Sequence, residues 1–478
     1  MPAGTLHGMR PLIDRMLAWL ARFVLRGFFR SVEVVGRERI PRDQPLLVVA
    51  NHYNALVDAA LLAFVLKRVP RFLAKATLWR SALARPLLAL AGMVPVSRRQ
   101  DQPDSVDERA NQSAFGAAHR VLGRRSVVAI FPEGMVSRVP MLAPLKTGAA
   151  RIALGARAGG AEDLAIVPVG LVYEDRVAMR SRVLVRVGEP IHLDEDLEAL
   201  VESGAEADQH DTLAVRRLTE EIESRLRRVV PDYRDEREAA VLGRAAEIAQ
   251  RSRGRGTLSA VPLQQRETLA QRISRAPREL RSQILDAVAR YELDLSLLGL
   301  RDEYLVAGYR APELLRLVLS TALRLALLAP FAIVGAAINM LPYWAVHWTG
   351  RIIRNPLLKA TGRLLSGLLL FPVAWLMAVW IAPWEGWLPN LGVLIASPIL
   401  GLIAVRALER AVAVRRAWRG WVAMAERSGS LGQVRQDRER LLQMVEAATH
   451  AADDITDGGQ AGRAATEEGA PPSPMRDA

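Results

Sequence analysis

The sequence predicts an α/β fold with a mixed, mostly buried sheet flanked by helices, followed by a helical region and C-terminal transmembrane helices. Over residues 32–192, apolar runs of strand length alternate with helical stretches, a pattern typical of helices packed on both faces of a sheet. Strand-like runs then disappear over 193–312, where charged helical pattern dominates. Long apolar runs follow within 325–405, and each is long enough to cross a bilayer.

The composition of the chain limits the classes of partner that it can bind. The 478 residues include no cysteine and carry a formal net charge of +13. Disulfides and cysteine-based metal sites are therefore excluded, and the basic balance indicates either nucleic acid or an anionic membrane surface as a partner. Aromatic residues are sparse outside the apolar runs, and the sequence contains no finger or RNA-binding motif. We therefore expect membrane lipids, and no nucleic acid, as partners.

The first 31 residues contain a basic amphipathic helix. Leu12, Met16 and Leu20 recur at helical spacing, and arginines occupy another stripe of the same segment. A helix of this kind can lie in a lipid interface, and an ordinary helix that packs on a domain has the same pattern. The segment alone leaves both interpretations open. The sequence prediction for residues 1–31 is a membrane-interface helix.

The alternation of apolar runs and helical stretches predicts an α/β domain over residues 32–192. The region 193–312 is predicted to be a helical accessory region, and its role does not follow from the sequence. The predicted strands are Pro45–Ala50, Val127–Phe131, Ala165–Leu171 and Val183–Val187, and the predicted helical stretches include 105–122 and 147–156.

A membrane domain is predicted over residues 313–412. It contains a hairpin at 364–405, in which Glu385 is the one charged residue between two apolar runs. Crossing a hydrocarbon core takes roughly 20 residues, which each run supplies. Basic residues flank both ends of the hairpin, so the positive-inside rule places both ends in the cytoplasm.

The apolar run at 325–350 is less regular than the hairpin. Pro330, Asn339 and Pro342 interrupt it, and arginines lie at both of its ends. A single crossing would put one arginine cluster on the wrong side of the membrane, so we expect a re-entrant or broken segment as the alternative. An amphipathic helix is expected at 413–451, and a disordered, Gly- and Pro-rich tail at 452–478.

The first block with candidate chemistry is Asn51–Asp58, which follows the apolar run LLVVA. Asn54 is a good N-cap for the next helix, which puts His52 in the strand-to-helix turn and Asp58 in the first turns of the helix. An aspartate there fixes the tautomer of the imidazole and stabilises the imidazolium, so that the other ring nitrogen can take a proton from a hydroxyl. A histidine near an aspartate is more often structural, so this block needs support from others.

Two further positions offer positive charge. Arg98 ends the block GMVPVSR and is suited to a phosphoryl group, because a guanidinium binds phosphate bidentately and stays charged. Lys146 precedes a predicted helix and adds an anion contact near the N-terminus of that helix. In isolation, a basic loop exposed to solvent explains Arg98 equally well.

The block FPEGMVS, residues 131–137, follows a predicted strand, and strand ends are where α/β folds place their sites. Glu133 and Ser137 are placed to orient polyol hydroxyls, and Gly134 allows a close backbone approach. The apolar block Ile166–Gly170 either lines an acyl channel or is a plain core strand.

In this order, the four blocks resemble those of the glycerolipid acyltransferase family: an asparagine–histidine block with a downstream aspartate, then GxxPVxR, FPEGxxS and VPV. The resemblance covers about residues 34–192, and the form NHxNxxxD is similar to the fungal-type glycerol-3-phosphate and dihydroxyacetone-phosphate branch. By the match of motif positions it implies His52 as the base and Asp58 as the orienting carboxylate. It also implies phosphate and glycerol contacts from Arg98, Glu133, Gly134 and Ser137.

The resemblance also implies an activity. The expected protein is an integral membrane O-acyltransferase of phospholipid biosynthesis, with acyl-CoA or acyl-carrier protein as co-substrate and neither metal nor cofactor. The acceptor is the hydroxyl of a glycerol phosphate or a lysophospholipid. The catalytic domain is expected on the cytoplasmic face, which is the inner membrane in a bacterium. The alternative is a membrane-anchored lipid-binding scaffold without turnover.

The spacing between the two central residues departs from the family pattern. Five residues separate His52 from Asp58, one more than is usual in the family. A regular helix would place the pair about 240° apart. A turn around Asn54 therefore has to absorb the difference.

Overall fold

The computed structural model divides the chain into two compact units, each described by itself: Met1–Asp232 with Phe331–Ala404, and Tyr233–Pro330 with Val405–Ala478. The residues that the structure describes are 5–80, 85, 88, 92–96, 108–200, 207–253, 260–307, 311–383, 385–426 and 431–468.

The first unit is built on a sheet. Its strands are β1 (Ser31–Val35), β2 (Leu46–Ala50), β3 (Arg71–Lys75), β4 (Val94–Val96), β5 (Val127–Ile130), β6 (Ala165–Tyr173), β7 (Arg182–Val187) and β8 (Ile191–His192). In the part of the chain that is described, the sheet order is β1-β7-β6-β2-β5-β3-β4, with β8 also beside β6. β6 is antiparallel to β7 and β8, and the other neighbours are parallel. The predicted mixed α/β fold is confirmed, with the four predicted strands shifted by one or two residues at their ends.

The sheet is covered on both faces, as its unbroken apolar runs predict. Leu47 and Val49 of β2 contribute to one core cluster, and Leu46 and Val48 contribute to the other. Successive side chains of a strand point to opposite faces, so a strand that is apolar at every position needs helices on both sides. All five residues of β2 are fully buried in this way.

The helices of the first unit pack on the two faces. Among the described residues they include α1 (Thr5–Phe28), α2 (Ala55–Leu66), α3 (Glu108–Leu122), α4 (Gly148–Ala158), α5 (Leu193–Leu200), α6 (Thr212–Val229) and α12 (Pro356–Ile381), with 3-10 turns at Arg37–Arg39 and Ala76–Arg80. The core cluster that contains Leu47 also contains residues of α3, α4 and α6, and the cluster that contains Leu46 contains residues of α1, α2 and α12.

The boundary of the first unit differs from the predicted one. We expected the α/β domain to end at residue 192, but α6 belongs to the same compact unit, which continues to Asp232. Asp211 caps α6 by accepting backbone hydrogen bonds from Leu213 at 3.0 Å and Ala214 at 2.9 Å. The apolar face of α6 is buried in the sheet cluster, which is why this charged, amphipathic helix cannot stand apart from the sheet.

Helix α1 combines the two alternatives that its pattern left open. Leu25 and Phe28 are buried in the sheet cluster, and Asp14 pairs with Arg71 of β3 at 2.8 Å. On another face, Met16 is 55% exposed and Trp19 is 61% exposed. One face therefore packs on the domain, and an exposed apolar face remains available to a lipid interface.

Among the described residues, three helices are long and apolar enough to cross a membrane: α11 (Ala311–Ile352), α12 and α13 (Trp387–Glu426). Of the two alternatives for 325–350, the broken segment is wrong, because α11 is continuous from Ala311 to Ile352, and the re-entrant course stays a prediction. The polar side chain of Asn339 has partners within this fold. Its side-chain amide donates to the carbonyl oxygens of Gly335 at 2.9 Å and Ser397 at 3.1 Å, and its oxygen accepts from Trp375 at 2.9 Å. The polar group that suggested a break is satisfied by neighbouring helices.

The second unit is helical. It contains α7 (Glu236–Arg253), α8 (Leu263–Ser274), α9 (Arg278–Leu297), α10 (Asp302–Ala307) and α14 (Leu431–Glu468). The predicted helix at 413–451 falls instead on the end of α13 and most of α14. Helix α14 also continues past residue 452, where we expected a disordered tail. Asp453 pairs with Arg272 of α8, and alanines, which favour helix, recur in this segment.

Candidate active site

The candidate site lies beyond the carboxyl ends of β2 and β5, the edge at which open α/β sheets bind ligands. Asn51 directly follows β2 and is fully buried. Its side-chain oxygen accepts from the backbone N–H of Leu171 at 2.7 Å, and its side-chain nitrogen donates to the Leu171 carbonyl at 3.0 Å. These two hydrogen bonds to β6 fix the start of the loop that carries His52.

His52 and Asp58 form the predicted pair. Nδ1 of His52 lies 2.9 Å from Oδ2 of Asp58. The aspartate side chain is fully buried, whereas 14% of the histidine side chain is exposed. A carboxylate on Nδ1 fixes the orientation of the ring and leaves Nε2 as the nitrogen that can exchange a proton with a bound hydroxyl.

The turn between the two residues accommodates their unusual spacing. Ala55, the first residue of α2, has a φ of 39°, and Asn54 before it has a φ of −140°. Oδ2 of Asp58 accepts the backbone N–H groups of Tyr53 and Asn54, each at 2.7 Å. The carboxylate therefore reaches back over the irregular turn to His52, as the spacing argument required.

The loop after β5 holds the backbone of His52 on both sides. Oε1 of Glu133 accepts the His52 N–H at 2.9 Å, and the Ser137 N–H donates to the His52 carbonyl at 2.7 Å. The ring of Phe131 stacks on the imidazole, with centroids 3.9 Å apart and planes 10° apart. Residues of the FPEGMVS block thus hold both the ring and the backbone of His52 in place.

The side chains of Glu133 and Ser137 point into the protein. Oε2 of Glu133 accepts the N–H of Ala143 at 3.1 Å, and the Ser137 hydroxyl donates to the carbonyl of Val139 at 3.0 Å. Burial raises the pKa of Glu133, although the backbone N–H of His52 acts against this shift. Direct substrate contact by these two residues stays a prediction, and their hydrogen bonds favour a positioning role.

Gly134 and Lys146 lie together at the rim of the site. Gly134 has a φ of 71°, and a Cβ there would lie 2.8 Å from Cε and Nζ of Lys146. Lys146 is exposed, and its backbone N–H donates to the carbonyl of Pro132 at 2.9 Å. The bare glycine therefore lets the lysine chain cross the loop and place its ammonium beside it. Arg98, the predicted phosphate ligand, lies outside the described residues.

Sequence reasoning missed two residues of the site. The hydroxyl of Tyr173 donates to Oδ1 of Asp58. The guanidinium of Arg176 donates to the carbonyl oxygens of Ser137 at 3.2 Å and Arg138 at 3.0 Å. Both residues lie near the site because β6 is the neighbour of β2 in the sheet. The spacing of residues along the sequence does not show which strands are neighbours.

A membrane helix also contacts this site. Ala360 and Leu364, in the first turns of α12, are buried in the same cluster as Leu62 of α2. The Thr361 hydroxyl lies 3.4 Å from the carbonyl of Asn54, and the Arg363 guanidinium donates to the carbonyl of Val177. The helix that carries Asp58 therefore packs directly against a candidate membrane span.

Comparisons with known proteins identify what parts of the chain are similar to. Residues 31–172 match the family model described as Acyltransferase. A stretch of 85 residues, 18% of this chain, is 41% identical to glycerol-3-phosphate O-acyltransferase 2 of Saccharomyces cerevisiae. That match spans only 11% of the length of the yeast protein. The crystal structure of the 1-acyl-sn-glycerophosphate (LPA) acyltransferase of Thermotoga maritima aligns at 20% identity with a TM-score of 0.32, over 45% of this chain and 78% of that chain.

The match to the Acyltransferase family model covers residues 31–172, a range that contains both His52 and Asp58. The predicted resemblance to the glycerolipid acyltransferases is confirmed over that range, and three apolar helices suited to membrane association follow it along the chain.

Proposed function

We propose that the chain transfers a fatty-acyl group from a thioester donor, acyl-CoA or acyl-carrier protein, to the hydroxyl of a phosphorylated glycerol acceptor. The observation that carries this proposal is the buried Asp58 carboxylate on Nδ1 of a partly exposed His52, 2.9 Å away. That arrangement supports a general base, because the imidazolium formed by proton transfer is stabilised where it forms.

The proposed reaction is a direct transfer. Nε2 of His52 takes the proton of the acceptor hydroxyl while its oxygen attacks the thioester carbonyl. The tetrahedral intermediate collapses with cleavage of the C–S bond, and the imidazolium returns its proton to the leaving thiolate. The chain has no cysteine, so no cysteine acyl-enzyme enters this scheme. Every proton in it passes through His52, and the scheme uses neither metal nor cofactor.

Positively charged side chains at the rim of the site are proposed to bind the phosphate group of the acceptor. Lys146 is exposed next to Gly134, which suits it to a phosphate group, and Arg98 is proposed as a second phosphate ligand. Holding the phosphate fixes the hydroxyl near His52, and this loss of freedom before the reaction contributes to the rate. Glu133 and Ser137 are proposed to act by holding His52 rather than by catalysing a step.

The membrane helices are proposed to keep the site at the bilayer surface. Arginines and a lysine lie at the start of α12, and arginines follow the apolar part of α13, so the positive-inside rule supports a cytoplasmic catalytic domain. The contact between α12 and α2 supports a site close to the bilayer surface, because it joins the helix of Asp58 to a candidate membrane span.

The test is transfer by the purified full chain in lipid nanodiscs, with radiolabelled acyl-CoA and radiolabelled acyl-carrier protein offered separately as donors. Glycerol-3-phosphate, dihydroxyacetone phosphate and 1-acylglycerol-3-phosphate are offered separately, and the preferred acceptor defines the substrate class. We expect His52→Ala to lower the rate on the order of a thousandfold with folding retained. The exposed His450, changed to alanine, is the matched control and keeps the rate. Lipid binding without transfer to any acceptor would instead identify a scaffold.

A further inference from the structure

Tyr173 is the last residue of β6, and its side chain joins three elements of the site. Because β6 is parallel to β2, its carboxyl end lies beside the loop that carries His52. The Tyr173 ring packs against Phe29, with centroids 6.1 Å apart. Its hydroxyl crosses to α2 and donates to Oδ1 of Asp58. The residue therefore links the strand to the helix through a carboxylate that already holds the imidazole.

The hydrogen bonds to Asp58 are divided unequally between its two oxygens. Oδ2 receives His52 Nδ1 at 2.9 Å and the N–H groups of Tyr53 and Asn54 at 2.7 Å each. Oδ1 receives the hydroxyl of Tyr173. Rotation of the carboxylate about the Cβ–Cγ bond would move both oxygens, because neither lies on the axis of that bond. The hydroxyl of Tyr173 therefore adds a restraint on the second oxygen to those that already act on Oδ2.

The tyrosine remains a donor throughout the working range of a histidine base. Burial raises the pKa of Tyr173 well above its ordinary value, and the negative charge of Asp58 and the hydrogen bond to it act in the same direction. Its proton therefore stays on the hydroxyl when His52 gains and loses its own. A neutral donor draws charge from the carboxylate without cancelling it.

We propose that Tyr173 is a positioning residue of the acyl-transfer reaction, which holds the second oxygen of Asp58 and sets the pH at which His52 works as the base. The expected kinetic effects rest on the proposed function, whereas the hydrogen bonds that join Tyr173, Asp58 and His52 do not depend on it. Without the hydroxyl, more negative charge stays on the carboxylate, so protonated His52 is favoured and the base is lost at a higher pH.

Other ionisable groups also act on the pair. Glu133 lies on the loop after β5 and interacts electrostatically with His52 and Asp58. Tyr53 lies on the loop of the pair itself and interacts with Asp58, Glu133 and Arg176. These groups are unchanged when only the Tyr173 hydroxyl is removed. A shift in the pH profile of such a variant therefore reports the lost hydrogen bond.

The kinetic test compares Tyr173→Phe with the wild type over the acid limb of the pH–rate profile. We expect kcat to fall about tenfold, as for a lost hydrogen bond to a charged group, with KM little changed and the acid limb moved to higher pH. The matched control is Tyr291→Phe in the second unit, which removes the same type of bond, from Tyr291 to buried Asp302 at 2.8 Å. It is expected to change neither kcat nor the acid limb.

A second measurement needs no substrate. Modification of His52 by diethyl pyrocarbonate, located by mass spectrometry, is followed against pH in the wild type and in Tyr173→Phe. We expect its midpoint to move to higher pH in the variant. If the wild type acylates none of the acceptors, the proposed function fails, and this measurement still decides the role of Tyr173.

A third variant covers the case in which Tyr173→Phe does not fold. Replacement of Tyr173 by 3-fluorotyrosine keeps the ring and makes the hydroxyl a stronger donor, so the midpoint is expected to move to lower pH. An unchanged midpoint in both variants, or a shift of equal size in Tyr291→Phe, overturns the positioning role.

Discussion

The two units of the chain each bury an aspartate that accepts a hydrogen bond from a tyrosine hydroxyl. In the first unit, Asp58 receives the hydroxyl of Tyr173, and in the second, Asp302 receives that of Tyr291. Both aspartates are 0% exposed. Each aspartate lies in the first turn of a helix, so its position in the helix does not distinguish the two. Their other partners do.

Asp302 is neutralised by permanent cations. Nε of Arg438 lies 2.6 Å from one carboxylate oxygen, and Arg251 lies 3.5 Å from the other. The bonds to Asp58 come from backbone N–H groups, a hydroxyl and the imidazole of His52. A carboxylate paired with guanidinium groups uses its charge to hold helices together, whereas one held by neutral donors keeps it for a cation that forms during proton transfer. The two aspartates are equally buried, and the charge of their partners is what distinguishes them.

The largest effect should come from Asp58→Asn. The variant keeps the size of the side chain but removes the charge that stabilises the imidazolium of His52. We expect kcat to fall on the order of ten thousandfold, the scale seen when a carboxylate that orients a catalytic histidine is made neutral. Steady-state kinetics with the preferred acceptor measure it, with the thermal unfolding midpoint followed alongside. A loss of less than tenfold in a folded variant contradicts the division between the two aspartates.

The matched change in the second unit is Asp302→Asn. It removes the buried carboxylate that lies 2.6 Å from Arg438, whereas Arg251 keeps Glu247 at 2.6 Å. We therefore expect a loss of roughly 3 kcal/mol in the free energy of unfolding, the lower end of the range for a broken buried pair. The kcat of the folded protein should stay unchanged. Chemical denaturation in detergent measures the stability, and kinetics at a temperature where the variant is folded measure the activity. A specific fall in kcat would mean that the second unit acts on the reaction.

Local pattern was sufficient to predict the centre of the site and much of the sheet. His52 and Asp58 lie within one strand–turn–helix segment, so an apolar run and a capping residue place both of them. The four predicted strands are long apolar runs, which are visible without knowing their neighbours. Strands β1, β3, β4 and β8 were not among the predicted strands. β1 and β3 have charged residues within or at the ends of five-residue segments, and β4 and β8, with three and two residues, are too short to show a period.

The residues that were missed depend on contacts between distant segments. Tyr173 lies 115 positions from Asp58 along the chain, and only the order of the strands brings them together. The unbroken course of α11 has the same origin, since Asn339 is satisfied by Ser397 and Trp375 from two other helices. A sequence pattern shows that a polar group sits in an apolar run, and the partner that satisfies it becomes visible only in the fold.

A smaller effect is expected from Glu133→Gln, in the pH dependence of the stability of the native state. Because burial raises the pKa of Glu133, the native state holds its proton more tightly than the unfolded state. The wild type should therefore lose stability as the pH rises from the ordinary range of a glutamate through the raised pKa. The variant should lack this part of the slope. Thermal unfolding midpoints measured against pH test it, with the exposed Glu162 changed to Gln as the control. Equal slopes in wild type and Glu133→Gln would rule out a contribution from this carboxyl.

The smallest expected effect distinguishes two glycines with the same backbone conformation. Gly134 in the first unit has a φ of 71° and Gly299 in the second a φ of 68°, but a Cβ meets Lys146 at 2.8 Å only at Gly134, and Gly299 faces open space. Alanine at either position should cost roughly 1–2 kcal/mol of strain. Gly134→Ala should also displace the lysine ammonium and raise the KM for a phosphorylated acceptor by roughly two- to fivefold, the scale of an exposed charge contact. In a Lys146→Ala background, Gly134→Ala should no longer change KM, because the displaced charge is already gone. If KM still rises in that background, the glycine acts on the acceptor through the loop itself rather than through the lysine.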